Sequence, residues 1–200
     1  MKKNILLWIS LTTLFVSSGY AQLAEEAEDI APLLIGETLP QDIAAGMNSG
    51  KKNLAKMIGE KPSVILFYRG GWCPYCNRHM AAIGEAEKDI LALGYQIIGI
   101  SPDAEEELRK FSGKNKLNYT LFSDSDGRLA KAMGIAFKAP DNYRNRLIKS
   151  SGGTNEGFLP VPSVFVLDKK GEIVFEYIAP NFKERISTEL LKSVLGSLEL

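Results

Sequence analysis

The chain has 200 residues, with 24 basic and 24 acidic side chains and a formal net charge of zero, a length typical of one ordinary domain. Hydrophobic residues make up 45% of it and charged residues 24%, which excludes a disordered or collagen-like chain, and the balanced charge excludes the basic footprint of a nucleic-acid-binding protein. Two cysteines and one histidine are too few for a disulfide scaffold or a Cys/His zinc site, so we expect neither a metal nor a cofactor.

The first 21 residues have the pattern of a secretory signal peptide. Lys2 and Lys3 give a positive start, residues 5–16 are mostly apolar, and small residues stand just before the predicted cleavage site. A membrane anchor is the alternative, but a spanning helix needs about 20 apolar residues. We therefore expect cleavage before Gln22 and an exported protein, periplasmic or secreted, without a stable membrane anchor after cleavage. Disulfides persist in such a compartment.

Behind a short acidic leader, residues 22–32, the sequence predicts one domain over residues 33–200. Continuous apolar runs rich in β-branched and aromatic residues predict buried strands, and apolar residues at helical spacing between them predict helices. The predicted strands are residues 64–68, 95–100, 119–122, 163–167 and 173–178. The predicted helices are residues 73–93, a helix starting at 101–103 with Asp103 in its first turn, a short helix within 124–134, and residues 184–198. Strands that alternate with helices and end in a hairpin predict an α/β fold, with a central mixed sheet flanked by helices.

Cys73 and Cys76 form a single C-x-x-C between the strand at 64–68 and its following helix. A thiol at a helix N-terminus is stabilised as the thiolate, and a second cysteine one turn away can attack a mixed disulfide formed by the first. Pro74 fits the first helical turn, where its missing N–H costs nothing. A structural disulfide across so small a loop would gain little chain entropy. The pattern therefore predicts a redox-active dithiol.

The active-site sequence FYRGGWCPYC, residues 67–76, resembles that of the thioredoxin superfamily. The wider chain resembles its peroxiredoxin-like branch, the alkyl hydroperoxide reductase and thiol-specific antioxidant family. The segments that carry this resemblance are IGETLP (35–40), IGISPD (98–103), LFSD (121–124) and PSVFVLDKKG (162–171). The resemblance implies a thioredoxin-like fold and an antioxidant role through thiol-dependent reduction of peroxides or of disulfides in client proteins. It also implies a thiol protein as electron donor.

Two alignments with that superfamily give the cysteines different roles. In the peroxiredoxin motif P-x-x-x-[ST]-x-x-C, Cys76 takes the peroxidatic position, Arg69 and Cys73 replace the Pro and the Ser/Thr, and Pro162 stands where an arginine is usual. In the thioredoxin alignment, Cys73 is the exposed nucleophile, Cys76 is the buried resolving cysteine, and Val161-Pro162 is the cis-proline step that pairs with an extended substrate. An ordinary trans proline at a strand start remains open. The buried acid of thioredoxins has no counterpart in the apolar strand before the motif.

Four residues around the motif are candidates for supporting roles. The resemblance implies that Trp72 walls the site and that Tyr75 helps to set the redox potential. Arg69 either lowers a thiol pKa or binds an anionic group, or it is a solvated loop residue. His79 is either a helix-surface residue or a group that stabilises a thiolate.

Residues 137–160 form a long connection without clear periodicity. Long connections in compact domains are often functional, so this one either borders the dithiol and recognises a client or is a solvated insertion. Its basic side chains are Lys138, Arg144, Arg146 and Lys149.

The sequence thus predicts an exported thiol–disulfide oxidoreductase that exchanges with protein disulfides or small oxidants. One alternative is a thiol-dependent peroxidase acting through Cys76. An alternative of another class is a non-catalytic binding module that keeps the fold as an adaptor.

Overall fold

The computed structural model describes residues 23–200, so the predicted signal peptide lies outside the described residues. The strands are β1 (Asn48–Ser49), β2 (Lys52–Asn53), β3 (Ser63–Phe67), β4 (Gln96–Ser101), β5 (Thr120–Ser123), β6 (Ala136–Lys138), β7 (Phe158–Pro160), β8 (Ser163–Leu167) and β9 (Ile173–Ile178). The helices are α1 (Gln41–Gly46), α2 (Leu54–Glu60), α3 (Pro74–Glu85), α4 (Glu87–Ala92), α5 (Glu105–Asn115), α6 (Arg128–Ala132), α7 (Arg144–Ser150) and α8 (Thr188–Ser197). Short 3-10 helices lie at Ala27–Asp29 and Asp141–Tyr143. Among residues 23–200, no helix has the length and apolar composition that crossing a bilayer requires.

A central five-stranded sheet has the order β5-β4-β3-β8-β9. Strand β3 pairs parallel with β4, and β4 pairs parallel with β5. On the other side of β3, strands β8 and β9 add an antiparallel edge. The Asp168 carboxylate holds the β8–β9 turn, accepting the N–H groups of Lys170 and Glu172 at 2.8 and 2.9 Å. The predicted α/β fold with a central mixed sheet is confirmed.

Strand β3 is buried on both faces and divides the core into two layers. Its alternate residues Val64 and Leu66 join one apolar cluster, while Ile65 and Phe67 join the other, because successive side chains of a strand point to opposite faces. The first cluster also holds the buried side chains of α3 and α8. The second is covered by α1, α2 and α6. Both cysteines belong to the first cluster.

Three predicted helices have different bounds in the structure. The helix expected at 73–93 is interrupted at Ala86, which separates α3 from α4. The helix expected at 184–198 begins only at Thr188, because the Ser187 hydroxyl accepts the Leu190 N–H at 3.2 Å and caps it. The prediction that places Asp103 in a first helical turn is also wrong. Helix α5 starts at Glu105, and the Asp103 N–H donates to the Ser101 hydroxyl at 3.3 Å.

The connection at residues 137–160 is more ordered than the sequence predicts. It contains the second 3-10 helix and α7, and it ends in β7, which pairs antiparallel with β6. The leader segment lies against this region, since the Ala24 carbonyl accepts the Lys138 N–H at 2.8 Å. The sequence did not predict these helices and this strand because they are too short to show a hydrophobic period.

Candidate active site

The dithiol lies just beyond the carboxyl end of β3, where the sequence predicts it. Cys73 is the N-cap residue of α3, Pro74 opens the helix, and Cys76 follows in the first turn. Both sulfurs are free thiols. Cys73 is 1% exposed and Cys76 0%, so the prediction of an exposed Cys73 is wrong. Trp72 and Tyr75 are packed against the cluster that contains both cysteines.

The loop between β3 and α3 depends on two glycines. Gly70 has φ +137°, and a side chain there would collide with the Trp72 indole nitrogen and lie 2.8 Å from Asp103 Oδ1. A Cβ on Gly71 would lie 2.9 Å from the Phe111 ring. The Gly71 N–H donates to Asp103 Oδ2 at 2.6 Å. Only glycine fits at these close approaches. The hydrogen bond to the Asp103 carboxyl holds the loop in this conformation.

Cys73 carries the more acidic thiol of the pair. A hydrogen bond from the Cys76 side chain is the main cause that lowers the pKa of Cys73 from 9.0 to about 6. Burial opposes the shift, while the backbone N–H groups of Cys76 and Tyr75 and the charge of Arg69 support it. At neutral pH, Cys73 is therefore the resting thiolate, which is the nucleophilic form.

Cys76 keeps its own proton at neutral pH. The hydrogen bond to Cys73 and burial raise the pKa of Cys76 well above its ordinary value. The Arg185 guanidinium opposes this shift, and its Nη2 donates to Cys76 Sγ at 3.3 Å. Arg185 thus contacts Cys76 directly, and the charge of Arg69 helps to favour the Cys73 thiolate.

The sequence did not identify Arg185 as a site residue, because it was predicted to lie in the last helix. The chain leaves β9 beside Pro162, whose carbonyl accepts the Ala179 N–H at 3.0 Å, and then returns over the dithiol. Arg185 thereby supplies a cation at the dithiol, although position 162, where peroxiredoxins usually have an arginine, is a proline. Ser187, a favourable N-cap residue, was the signal that could have placed Arg185 before the helix.

Arg69 is buried in a box of three aromatic rings. Its guanidinium carbon lies 5.3, 4.8 and 4.4 Å from the ring centroids of Trp72, Tyr143 and Phe182, and the residue is only 4% exposed. Within residues 23–200 it makes no ion pair. The solvated-loop alternative is therefore wrong, and cation–π contacts replace water around the charge. Trp72 packs against the cluster that contains both cysteines, and its role as a wall of the site stays a prediction. The sequence did not identify Tyr143 and Phe182.

Tyr75 and His79 frame the Cys76 side of the site. The Tyr75 ring packs edge-on against Phe182, with centroids 5.6 Å apart. His79 is half-buried rather than on the surface, and burial together with the nearby Arg185 lowers the pKa of His79 to about 4. A neutral imidazole cannot stabilise a thiolate by charge, so the thiolate-stabilising role of His79 is also not supported.

The Val161–Pro162 bond is trans, since no cis peptide bond occurs in the described part of the chain. The Val161 N–H donates to the Ile135 carbonyl at 2.8 Å, and the Val161 carbonyl accepts the Ser163 hydroxyl at 2.9 Å. The expected cis-proline step is therefore wrong, and the proline is the ordinary trans alternative. The Val161 N–H and carbonyl already have partners within the domain, so they are not free to pair with an extended substrate.

The sequence profile of the AhpC/TSA family matches residues 35–176. A putative peroxiredoxin bcp of Haemophilus influenzae is 31% identical over 104 residues, 52% of this chain and 66% of that protein. The chloroplastic peroxiredoxin Q of Sedum lineare is 29% identical over 164 residues, 82% of this chain and 78% of that protein.

Solved structures with the same fold include peroxiredoxins. Reduced Prx3 from Vibrio vulnificus, in complex with hydrogen peroxide, superposes with a TM-score of 0.67 at 16% identity, over 82% of this chain and 97% of that chain. Peroxiredoxin Q from Xanthomonas campestris gives a TM-score of 0.61 at 20% identity, over 80% of this chain and 96% of that chain. At these identities the likeness concerns the fold, and it agrees with the predicted thioredoxin-like architecture.

Proposed function

The chain belongs to the AhpC/TSA family, and on that premise we propose that it is a thiol-dependent peroxidase in which Cys73 and Cys76 form the redox dithiol. The observation that carries the proposal is the placement of two buried cysteines at the start of α3, with Arg185 Nη2 donating to Cys76 Sγ at 3.3 Å. The lowered pKa of Cys73 and the raised pKa of Cys76 support it. Such a pair holds a nucleophile and its resolving thiol one helical turn apart. The named peroxiredoxins among its relatives support a peroxide as the oxidant.

In the first step the Cys73 thiolate attacks the terminal oxygen of the hydroperoxide. The S–O bond forms as the O–O bond breaks, which gives a sulfenic acid on Cys73 and an alkoxide that takes up a proton and leaves as the alcohol. For hydrogen peroxide the leaving product is water. Arg69 is a buried cation whose charge helps to lower the pKa of Cys73, so it favours both the starting thiolate and the negative charge that develops on the leaving oxygen.

In the second step Cys76 resolves the sulfenic acid. The Cys76 thiol loses its proton, its sulfur attacks Cys73, and hydroxide leaves from Cys73 and is protonated to water. The contact from Arg185 Nη2 to Cys76 Sγ stabilises the Cys76 thiolate that this step requires. The Cys73–Cys76 disulfide that results is returned to the dithiol by two electrons from an external thiol protein.

The family alignment favours a different order of attack, with Cys76 as the peroxidatic cysteine. Its spacing from Phe67 and the arginine on its sulfur support that order. The lower pKa of the Cys73 thiol favours Cys73, while the two residues are equally buried.

Titration with hydrogen peroxide tests the activity itself. The reduced protein is expected to lose two thiols and gain one intramolecular disulfide for each peroxide consumed, and the Cys73→Ser/Cys76→Ser double variant is expected to consume none. Peroxide consumption by the double variant equal to that of the wild type would exclude the dithiol as the reacting group. Exchange with disulfides of client proteins stays a prediction, and reduction of insulin disulfides by the reduced protein measures it.

We also propose that the protein is exported and works in a periplasmic or extracellular compartment. The positive start and apolar run of the first 21 residues support export. Mass spectrometry of the protein recovered from cells is expected to find Gln22 as the first residue. A full-length chain in the cytoplasmic fraction would exclude export.

A further inference from the structure

A cavity that the peroxidase mechanism does not use lies beside the loop carrying Cys73. Its volume is about 650 Å³, within the range of sites for small organic molecules. One wall is the motif loop at Gly71 and Trp72, and the opposite wall comes from α5 and α7. Neither cysteine lines it.

The inner part of the cavity is apolar and aromatic with a few polar groups. The rings of Trp72 and Phe111 face it. Asp103 and Ser150 close its inner end, and both are buried. Asp103 Oδ2 accepts the Gly71 N–H, while Asp103 Oδ1 has no hydrogen-bond partner within residues 23–200. The apolar body of a ligand here would rest on the two flat rings, with the Asp103 carboxyl beyond them at the inner end.

The rim of the cavity carries an excess of positive charge. It holds four basic side chains, Lys110, Lys114, Arg146 and Lys149, against one carboxylate, Glu107. Lys110 is already paired, since its Nζ lies 2.8 Å from carboxylate oxygens of both Glu106 and Glu107.

The other three cations form no ion pair with any residue that the structure describes. The Arg146 guanidinium lies 5.4 Å from the Trp72 ring centroid, which places a cation directly over an aromatic surface of the cavity. Arg146 and Lys149 come from the connection at residues 137–160, whose basic residues the sequence singled out. Cations converging on aromatic walls recognise an anion that also has a flat apolar body.

We propose that this cavity binds a small organic anion, a carboxylate or sulfonate attached to an aromatic or similarly flat apolar group. The anionic group lies among Lys114, Arg146 and Lys149, and the apolar body lies against Trp72 and Phe111. This site is separate from the dithiol and does not depend on the proposed peroxidase activity. Because Trp72 precedes Cys73 directly, the ligand contacts the loop that carries the dithiol.

Binding of 8-anilinonaphthalene-1-sulfonate to the full chain, followed by fluorescence, tests the proposal. N-phenyl-1-naphthylamine, which has the same aromatic body without the sulfonate, is the matched probe. The variant Lys114→Gln/Lys149→Gln removes two rim charges from exposed positions, so its fold is expected to be intact. The variant Lys56→Gln/Lys88→Gln makes the same charge change outside the cavity and is the control.

The sulfonate probe is expected to bind the Lys114→Gln/Lys149→Gln variant about tenfold more weakly than the wild type, with removal of two partly screened charges as the cause. The control variant and the uncharged probe are expected to change less than twofold. 1-Naphthoate is expected to displace the sulfonate probe, and the uncharged 1-naphthylmethanol is not. Equal weakening in the control variant, equal loss of the uncharged probe, or no binding to the wild type would each overturn the proposal.

Discussion

The acidity of Cys73 depends on Cys76, and removing that partner gives a quantitative prediction. The Cys76 side chain is the leading cause of the lowered pKa of Cys73. A hydrogen bond to a charged group contributes about 1.5–3 kcal/mol, and one pKa unit corresponds to about 1.4 kcal/mol. Cys76→Ala is therefore expected to raise the pKa of Cys73 by about one to two units, from about 6 to about 7–8. Cys76→Ser keeps a hydroxyl donor at the same place, so its rise is expected to be smaller.

The pH dependence of Cys73 alkylation by iodoacetamide measures this shift. Only the thiolate reacts, so the rate rises with pH and its midpoint gives the pKa. At pH 7 a thiol of pKa 6 is about nine-tenths ionised and one of pKa 7–8 about one-half to one-tenth, so the Cys76→Ala rate at that pH is expected to fall about two- to tenfold. The midpoint reports the pKa more directly than the rate at pH 7 does. The intrinsic nucleophilicity of a thiolate rises with its pKa and partly offsets the smaller ionised fraction. An unchanged midpoint near pH 6 in Cys76→Ala would refute the hydrogen bond as the cause.

Three further predictions concern the residues around the dithiol. Arg185→Gln is expected to slow disulfide formation about tenfold or more, because the lost charge-assisted contact with Cys76 contributes about 1.5–3 kcal/mol. The first reaction with peroxide is expected to keep its rate. Rapid-quench kinetics measures both steps, and equal slowing of both would contradict the role of Arg185 in the second step. Gly70→Ala is expected to cost about 1–3 kcal/mol in urea unfolding, from its positive φ and collisions, whereas Gly59→Ala, whose added Cβ meets nothing, is expected to be neutral or stabilising. For Asp103, burial raises the pKa from 3.8 to about 6, so the folded state holds the proton more tightly and this stabilisation is lost as pH rises through about 6. Asp103→Asn is therefore expected to gain about 3 kcal/mol in unfolding free energy relative to the wild type between pH 3 and pH 7, and a difference independent of pH would exclude the shift.

The sequence predicted the central sheet well because its signals are local. Strands β3, β4 and β8 are continuous apolar runs, and such runs occur where a strand is buried on both faces. The C-x-x-C between a strand and a helix also placed the dithiol correctly, since strand end, proline and helix start are adjacent in the chain. The predicted start of helix α8, residue 184, is four residues too early. Ile186 continues the apolar spacing of the helix, but the Ser187 cap starts the helix only at Thr188.

The surroundings of the dithiol could not be predicted, because they come from segments far apart in sequence. Arg185 and Phe182 reach the site from a loop and Tyr143 from a short 3-10 helix, and none of these segments has a periodic pattern. Only the packing of the whole domain brings them to Arg69 and Cys76. Asp103 was assigned to a helix start because acidic residues favour that position. Its contact with Gly71 is set by the neighbouring parallel strands β3 and β4, whose carboxyl ends meet at one edge of the sheet.

The order of attack by the two cysteines is the most direct test of the proposed mechanism. Stopped-flow mixing with hydrogen peroxide, with a dimedone probe for sulfenic acid, compares Cys73→Ser with Cys76→Ser in single turnovers. Cys76→Ser is expected to react once and to accumulate sulfenic acid on Cys73, while Cys73→Ser is expected to lose the fast reaction. Fast peroxide reduction by Cys73→Ser, together with its loss in Cys76→Ser, would contradict this order and make Cys76 the attacking cysteine.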